Sequence, residues 1–429
     1  MFNTEFINRR CAIGSGPVDQ QLQRIWWTAC LISLLVVGCG FSWLYIAWQL
    51  GCALRWLLQA AVINAYVLWL LWKAVRKNYH PDKKILLPHL GYANWLTFFR
   101  GILIGLLAGF LFQPWPYSKN PSDWISWVPG GIYMLAVILD YADGYIARIT
   151  RHETYLGEWL DPKLDALGLL IAPVLAVGYN RLPIFYISVS VAYYLFQFGT
   201  WHRKRNNKQT AKLKPQPADR MIAGFQMGLV AIALFPVFSE PAMSIAAIIF
   251  MVPLLAGFLR DWLIVCGYVK TDDFQRTPWD RHINLLLTKL LPVFLRVIII
   301  VAVIGFFDKA MEVSQASREI GTKSLLDNVM SHYPLEALII AAAGLMIALG
   351  IVGRIAALTI SVILAGTLTG GGASFSLFLG YSCAVTLLLT GSGFLSIWHP
   401  EDKLLLKKQG KRTALNLAAV WKAAIGAQK

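Results

Sequence analysis

Carboxylates are costly inside apolar segments, and this chain concentrates four of them in one place. The stretch Asp140-Tyr141-Ala142-Asp143-Gly144-Tyr145-Ile146-Ala147-Arg148 is followed, after eight residues, by Gly157-Glu158-Trp159-Leu160-Asp161-Pro162-Lys163-Leu164-Asp165. Asp140 and Asp143 are spaced i, i+3 and Asp161 and Asp165 i, i+4, so on helices each pair shares a face. The short linker 149–156 makes the two helices antiparallel neighbours and brings the four carboxylates together. Left unneutralised in a low dielectric they repel strongly, so either several are protonated or cations sit among them. Two divalent ions balance the formal charge, and oxygen ligands without a thiolate or His cluster favour Mg²⁺ or Mn²⁺ over zinc. Two such ions suit displacement at phosphorus. Gly144 and Gly157 let a nucleotide or a facing backbone approach closely, and Arg148 offers a rigid fork to phosphate oxygens. The same residues also fit a proton relay, an ion pathway or a packed salt-bridge network, although a relay gives the glycines no role.

The elements that must position these groups are membrane helices. Of 429 residues 57% are hydrophobic and 14% charged, against roughly 45–50% and 25% in a soluble domain. A soluble domain is thereby excluded, since about 20 mostly apolar residues cross a bilayer as one helix. Apolar runs predict spans near 25–49, 52–72, 94–113, 127–147, 159–178, 183–201, 219–238, 242–267, 285–306, 335–351, 353–369 and 375–397. The expected fold is an all-α integral membrane protein of about twelve transmembrane helices. Pro162 is acceptable in the fifth of these if it falls in the first helical turn. With twelve spans both termini share a side, and the breaks on that side hold 27 Lys and Arg against six on the other. That side is therefore expected to be the cytoplasm. The net charge of +16 is then read as topology, and nucleic acid is not an expected partner. Trp115, Trp124 and Trp127 flank an outer loop at headgroup level. The six cysteines form no CxxC pair or Cys/His cluster, so neither a disulfide framework nor a zinc site is expected. The first apolar run is read as a retained helix.

The string D-x2-D-G-x2-A-R-x8-G-x3-D-x3-D, filled by Asp140, Asp143, Gly144, Ala147, Arg148, Gly157, Asp161 and Asp165, resembles the signature of the CDP-alcohol phosphotransferase (CDP-alcohol phosphatidyltransferase) family. The resemblance covers about residues 88–267, six spans. It implies transfer of a phosphoalcohol from a CDP-linked donor to a hydroxyl with release of CMP. It further implies that Asp140, Asp143, Asp161 and Asp165 are metal ligands for Mg²⁺ or Mn²⁺ and that Asp165 is the general base. Gly144, Ala147, Arg148 and Gly157 would line the nucleotide pocket. Asn94, Thr97 and Arg100, in Asn94-Trp95-Leu96-Thr97-Phe98-Phe99-Arg100, resemble a further pattern of Asn, Thr and Arg near the nucleotide, against which stands an N-cap followed by a snorkelling arginine. Lys212, Lys214 and Arg220 are candidates for an acceptor phosphate, or else part of a basic loop touching anionic lipid. The expected reaction is metal-dependent phosphatidyl transfer from CDP-diacylglycerol to a small polar alcohol. Two alternatives are a soluble CDP-alcohol donor with a lipid acceptor, and a quinone-linked or ion-translocating protein. Expected partners are the donor, the alcohol, membrane lipids and a second copy of the chain. The expected place is a bacterial inner membrane with the site facing the cytoplasm.

The remaining segments divide as follows. Residues 1–80 form an N-terminal segment with two helices and no readable chemistry, 81–270 the catalytic domain, 271–400 a four-helix bundle, and 401–429 a basic tail suited to an interfacial helix. In the bundle, Gly344 to Ala357 with Arg354, and Gly391-Ser392-Gly393-Phe394-Leu395-Ser396-Ile397-Trp398-His399, resemble the DoxX-type membrane family. Arg260 and Asp261 read as a local ion pair.

Overall fold

Long apolar runs broken by Pro, Gly and charge can satisfy their backbone groups in a membrane only as helices. The computed structural model of the chain describes residues 17–48, 50–79, 87–113, 124–150, 154–208, 211, 213, 217–237, 240–269, 290–319, 334–369, 375–391, 393 and 396–398. Among these the elements are α1 (Pro17–Ala47), α2 (Leu50–Val75), α3 (Tyr92–Ala108), α4 (Val128–Ile149), α5 (Tyr155–Gly178), α6 (Ile187–Arg205), α7 (Pro217–Ala233) and α8 (Glu240–Cys266). They continue with α9 (Leu291–Glu319), α10 (Pro334–Leu349), α11 (Gly353–Thr369) and α12 (Phe375–Thr390). The described fold is all-helical, and each expected span has a helix in it. Four stretches, Gln20–Ala47, Leu50–Val75, Ile125–Ala147 and Ala242–Cys266, are long and apolar enough to cross a membrane. Other apolar helices are shorter: α3 has 17 residues, which at about 1.5 Å per residue falls a little short of a 30 Å hydrocarbon core.

Several boundaries differ from the sequence reading, among them the start of α1 at Pro17 rather than 25 and the end of α3 at Ala108 rather than 113. The fifth helix starts at Tyr155, four residues earlier than expected, because Thr154 caps it and accepts a hydrogen bond from Gly157 N (3.2 Å). Pro162 consequently lies beyond the first turn, inside the helix. Its missing N–H leaves the carbonyl of Glu158 without an i+4 donor, and Glu158 is exposed. The last helix stops at Thr390 rather than 397, where Gly391 takes a positive φ of 78°. Residues 397–398 then run beside 349–352, with Val352 N donating to Trp398 O (2.9 Å). The ninth helix extends to Glu319, past the apolar run.

The helices gather into two units, one of residues 1–180 with 230–236 and the other of 181–229 with 237–429. In the first, α3 packs against α4, α2 and α5, and α1 lies on α2. Its core includes Phe98, Ile102 and Leu107 of α3 and Leu156, Leu160 and Leu164 of α5, which repeat every four residues on one face. In the second, α9 packs on α12, α11 on α12 and α10, and α8 on α6, α11 and α12. There the Tyr381 hydroxyl donates to the Ala242 carbonyl (2.9 Å), Tyr186 bonds Gln226, and Arg260 pairs with Asp261 (2.7 Å) as expected.

The seam between α2 and α3 is set by Gly101, Gly105 and Gly109. A Cβ on Gly101 would stand 2.7 Å from Val67, one on Gly109 2.5 Å from Trp56, and one on Gly105 would collide with the amide of buried Asn64. Glycines at this four-residue spacing let two membrane helices approach closely. Gly105→Val is expected to destabilise the protein by about 1–3 kcal/mol through overpacking. The check is a lower thermal unfolding midpoint in detergent beside Gly38→Ala, which meets nothing within 4 Å and should leave the midpoint unchanged.

Candidate active site

The carboxylates predicted from the sequence converge where α3, α4 and α5 meet. Asp140 and Asp143 come from α4, and Asp161 and Asp165 from α5. Carboxylate oxygens of Asp140, Asp161 and Asp165 lie within 4.8 Å of one another. Asp143 is set apart from this trio: it is buried, and its Oδ2 accepts from the Thr97 hydroxyl at 2.8 Å. Between the two pairs stands Arg100 of α3, only 2% exposed. Its Nη1 pairs with Asp140 and lies 3.8 Å from Asp143, while Nη2 lies 2.6 Å from Asp161 and 3.2 Å from Asp165. The snorkelling alternative for Arg100 is thus overturned. A guanidinium that reaches four carboxylates gains more by staying among them than by extending to the interface.

Asn94 and Thr154 form a second polar group at the start of α5. The Asn94 amide donates to Thr154 Oγ1 (2.9 Å) and to Leu90 O (2.5 Å), and Thr154 Oγ1 lies 3.2 Å from Asn94 Oδ1. A Cβ on Gly157 would stand 2.9 Å from Asn94 Oδ1, so the absent side chain admits Asn94 to the neighbourhood of the cap. The N-cap alternative for Asn94 also fails, because Gly91 occupies the cap position of α3. Gly144 and Ala147 are half-buried on α4. Arg148 lies in the last turn of α4 and Arg220 in α7, with side chains outside the described residues. Lys212, Lys214, Trp115 and the tail 401–429 also lie outside the described residues.

Arg100, which the sequence offered either as part of a nucleotide-side pattern or as a snorkelling arginine, lies among the carboxylates. Two further participants were not singled out from the sequence. Thr154 carries the usual N-cap signal, a hydroxyl residue just before a helix. Tyr133 is buried on α4 seven residues before Asp140, hence on the same face, with its hydroxyl lacking a hydrogen-bond partner among the described residues.

The donor set fits a hard divalent cation. It consists of oxygens alone, three carboxylates converge, and the buried Asp165 Oδ1 accepts no hydrogen bond, with Arg100 Nη2 3.2 Å away as its ion-pair partner. One guanidinium amid four carboxylates leaves an excess of negative charge, which a divalent ion would reduce.

The all-helical architecture with its long apolar helices is that of a multi-pass membrane protein, and the acidic cluster gives it a polar centre. Residues 90–270 match the family model described as CDP-alcohol phosphatidyltransferase, and this segment is a domain of that family of transferases. Among curated relatives, a protein of Cereibacter sphaeroides is 36% identical over 64 residues, covering 15% of this chain and 28% of the relative. One of Yersinia enterocolitica is 35% identical and one of Sodalis glossinidius 33%, each over 88 residues, 20% of this chain and 43% of the relative. All three are named CDP-diacylglycerol–glycerol-3-phosphate 3-phosphatidyltransferase. The chain spans less than half the length of these relatives. No solved structure matches it. The family segment ends before α9, so the bundle with the DoxX-like pattern lies outside it.

Removing Arg100 leaves buried Asp143 and the half-exposed Asp140, Asp161 and Asp165 without their cation, a change that costs less than the about 3–5 kcal/mol of a fully buried pair because water screens three of the four. Arg100→Gln is therefore expected to lower the thermal unfolding midpoint in metal-free buffer. Added Mn²⁺ should close much of the gap to the parent protein, because a bound cation replaces the lost charge; scanning fluorimetry of both proteins with and without Mn²⁺ is the check.

Proposed function

We propose that the chain is a multi-pass membrane phosphatidyltransferase that moves a phosphatidyl group from CDP-diacylglycerol to the hydroxyl of a small polar alcohol and releases CMP. The observation that carries the reading is the convergence of the motif carboxylates, Asp140, Asp161 and Asp165, in a segment that matches the family. The names of the relatives make glycerol 3-phosphate the first acceptor to try. Asp140, Asp143, Asp161 and Asp165 would hold Mg²⁺ or Mn²⁺. The metal supplies charge neutralisation for the pyrophosphate and the departing CMP.

The chain's own residues supply the rest. Asp165 accepts the proton of the acceptor hydroxyl, and the oxygen attacks the β-phosphorus of the donor. A new P–O bond forms as the bond from that phosphorus to the CMP oxygen breaks, and CMP leaves with the electron pair. Gly144, Ala147 and Gly157 leave room for the nucleotide, with Arg148 for its phosphate oxygens, and Lys212, Lys214 and Arg220 are assigned to an acceptor phosphate. The donor's acyl chains remain in the bilayer. The site faces the cytoplasm, because the Lys and Arg excess lies on that side.

The direct test incubates purified protein with CDP-diacylglycerol, Mn²⁺ or Mg²⁺ and glycerol 3-phosphate or other alcohols, and measures CMP. Asp140→Asn and Asp161→Asn are expected to reduce release by more than about a hundredfold, as loss of a metal centre does, and chelation should do the same. CMP formation that persists in EDTA would sink the proposal. Asp165→Asn should leave donor affinity largely intact while collapsing turnover, whereas Asp143→Asn should weaken metal-dependent donor binding as well. Equilibrium binding of the donor beside CMP release separates the two roles. For topology, Asn207→Cys should be protected from an impermeant thiol reagent in intact cells and become labelled once the membrane is opened.

A further inference from the structure

Residues 77–79 precede the family segment, yet they meet the start of α5 or the groups that cap it, and α5 is the helix that carries Asp161 and Asp165. Asn78 is fully buried, and its amide donates to the carbonyls of Leu87 (3.0 Å) and His89 (2.8 Å) while Leu87 N donates back to Asn78 O (2.7 Å). These bonds fold the chain back after α2 and fix the approach to α3. Asn78 Oδ1 also stands 3.5 Å from the Asn94 amide, which in turn holds Thr154. Next to it, the Tyr79 carbonyl accepts from Tyr155 N at 3.0 Å. Tyr155 is the first residue of α5, and its N–H is one of the four that a helix cannot satisfy within itself. The Tyr79 and Tyr155 rings stack with centroids 5.4 Å apart and planes 6° from parallel. One turn on, the Lys77 ammonium lies 4.1 Å from the centre of the Trp159 ring. Three successive residues of the N-terminal segment thus engage residues of α5 or the groups that cap it.

We propose that Asn78 and Tyr79 are positioning residues for phosphatidyl transfer: they fasten the N-terminal end of α5 and thereby set where Asp161 and Asp165 stand relative to Asp140 on α4. The proposal rests on the function given above. Asp161 lies six residues into a helix whose first N–H is held by Tyr79, about 9 Å along the axis. A helix transmits a tilt at its end to the groups it carries. Loss of alignment by about 1 Å at a reacting centre costs up to a hundredfold in rate. The family segment begins at residue 90, so the residues that follow α2 supply this fastening from outside it.

The test uses the 429-residue protein with Asn78→Ala, Tyr79→Ala and Tyr79→Phe; all keep the backbone carbonyl at residue 79, and of the two Tyr79 variants only Tyr79→Phe keeps the stacked ring that holds it against Tyr155. Hydrogen exchange of the amides of residues 155–161 should accelerate in the two alanine variants and match the parent in Tyr79→Phe. With CDP-diacylglycerol and Mn²⁺, kcat for CMP release should fall on the order of tenfold in the alanine variants, with the donor KM within about twofold of the parent. Tyr79 is only half-buried, so Tyr79→Ala carries the test if Asn78→Ala does not fold. Unchanged exchange in 155–161, or an unchanged kcat per folded molecule, overturns the inference. So does a Tyr79→Phe variant as impaired as Tyr79→Ala. Exchange needs no turnover, so a parent protein that releases no CMP overturns the proposed function, while unaltered α5 exchange overturns the positioning role.

Discussion

The first unit is organised by the problem of holding four carboxylates together around one buried guanidinium, with Asp143 buried and Asp140, Asp161 and Asp165 half-exposed. One buried guanidinium, that of Arg100, reaches all of them. Such a cluster is stable only while its charge is compensated and its geometry is held from outside, because a misplaced buried charge costs more than a well-placed one returns. This constraint explains why α3 is the central helix of the unit, packed on α2, α4 and α5. It also explains the polar residues along α3: Thr97 orients Asp143, and Asn94 engages the cap of α5. The glycines of the same helix lie toward α2, so its polar groups and its close-packed seam divide its surface between them.

The chemistry was legible in the sequence because carboxylates in apolar segments are rare and their spacings are those of a helix face. Asp140, Asp161 and Asp165 meet as the spacings suggest, but α4 and α5 are not the packed neighbours that the short linker implied, since each packs chiefly on α3. The helices were legible from apolar runs, whose ends were less so. Thr154 draws the start of α5 back to Tyr155, and a positive φ at Gly391 ends the last helix early. Both are decided by one residue's local hydrogen bonding or conformation, which a hydropathy run averages away. Arg100 was harder to place for a different reason. An arginine two turns into a membrane helix has the same sequence signature whether it reaches the interface or a buried acid, and only the facing helices decide between them.

The N-terminal segment illustrates the limit of motif reading. Asn78 and Tyr79 carry no acid, base or metal ligand, and their contribution lies in backbone carbonyls, an amide and a stacked ring. These act through Tyr155, Thr154 and Asn94, more than sixty residues away in the chain or across a loop. Such couplings have no fixed spacing, so no pattern in the sequence announces them.

The segments outside the family match have a common physical role at the level of packing. On one side, α2 covers the glycine face of α3. On the other, α11 and α12 pack on α8, the last helix of the match, and Tyr381 of α12 donates to the Ala242 carbonyl at the start of α8. Within the second unit, Gly380 meets Ala302 so closely that a Cβ would stand 2.6 Å from it. Without apolar desolvation to drive association in lipid, helices are held by such small-residue contacts and by interhelical hydrogen bonds. Each added contact restricts a family helix that would otherwise face mobile acyl chains. The added helices therefore limit how far the helices they touch can move, and they need no chemistry of their own to do so.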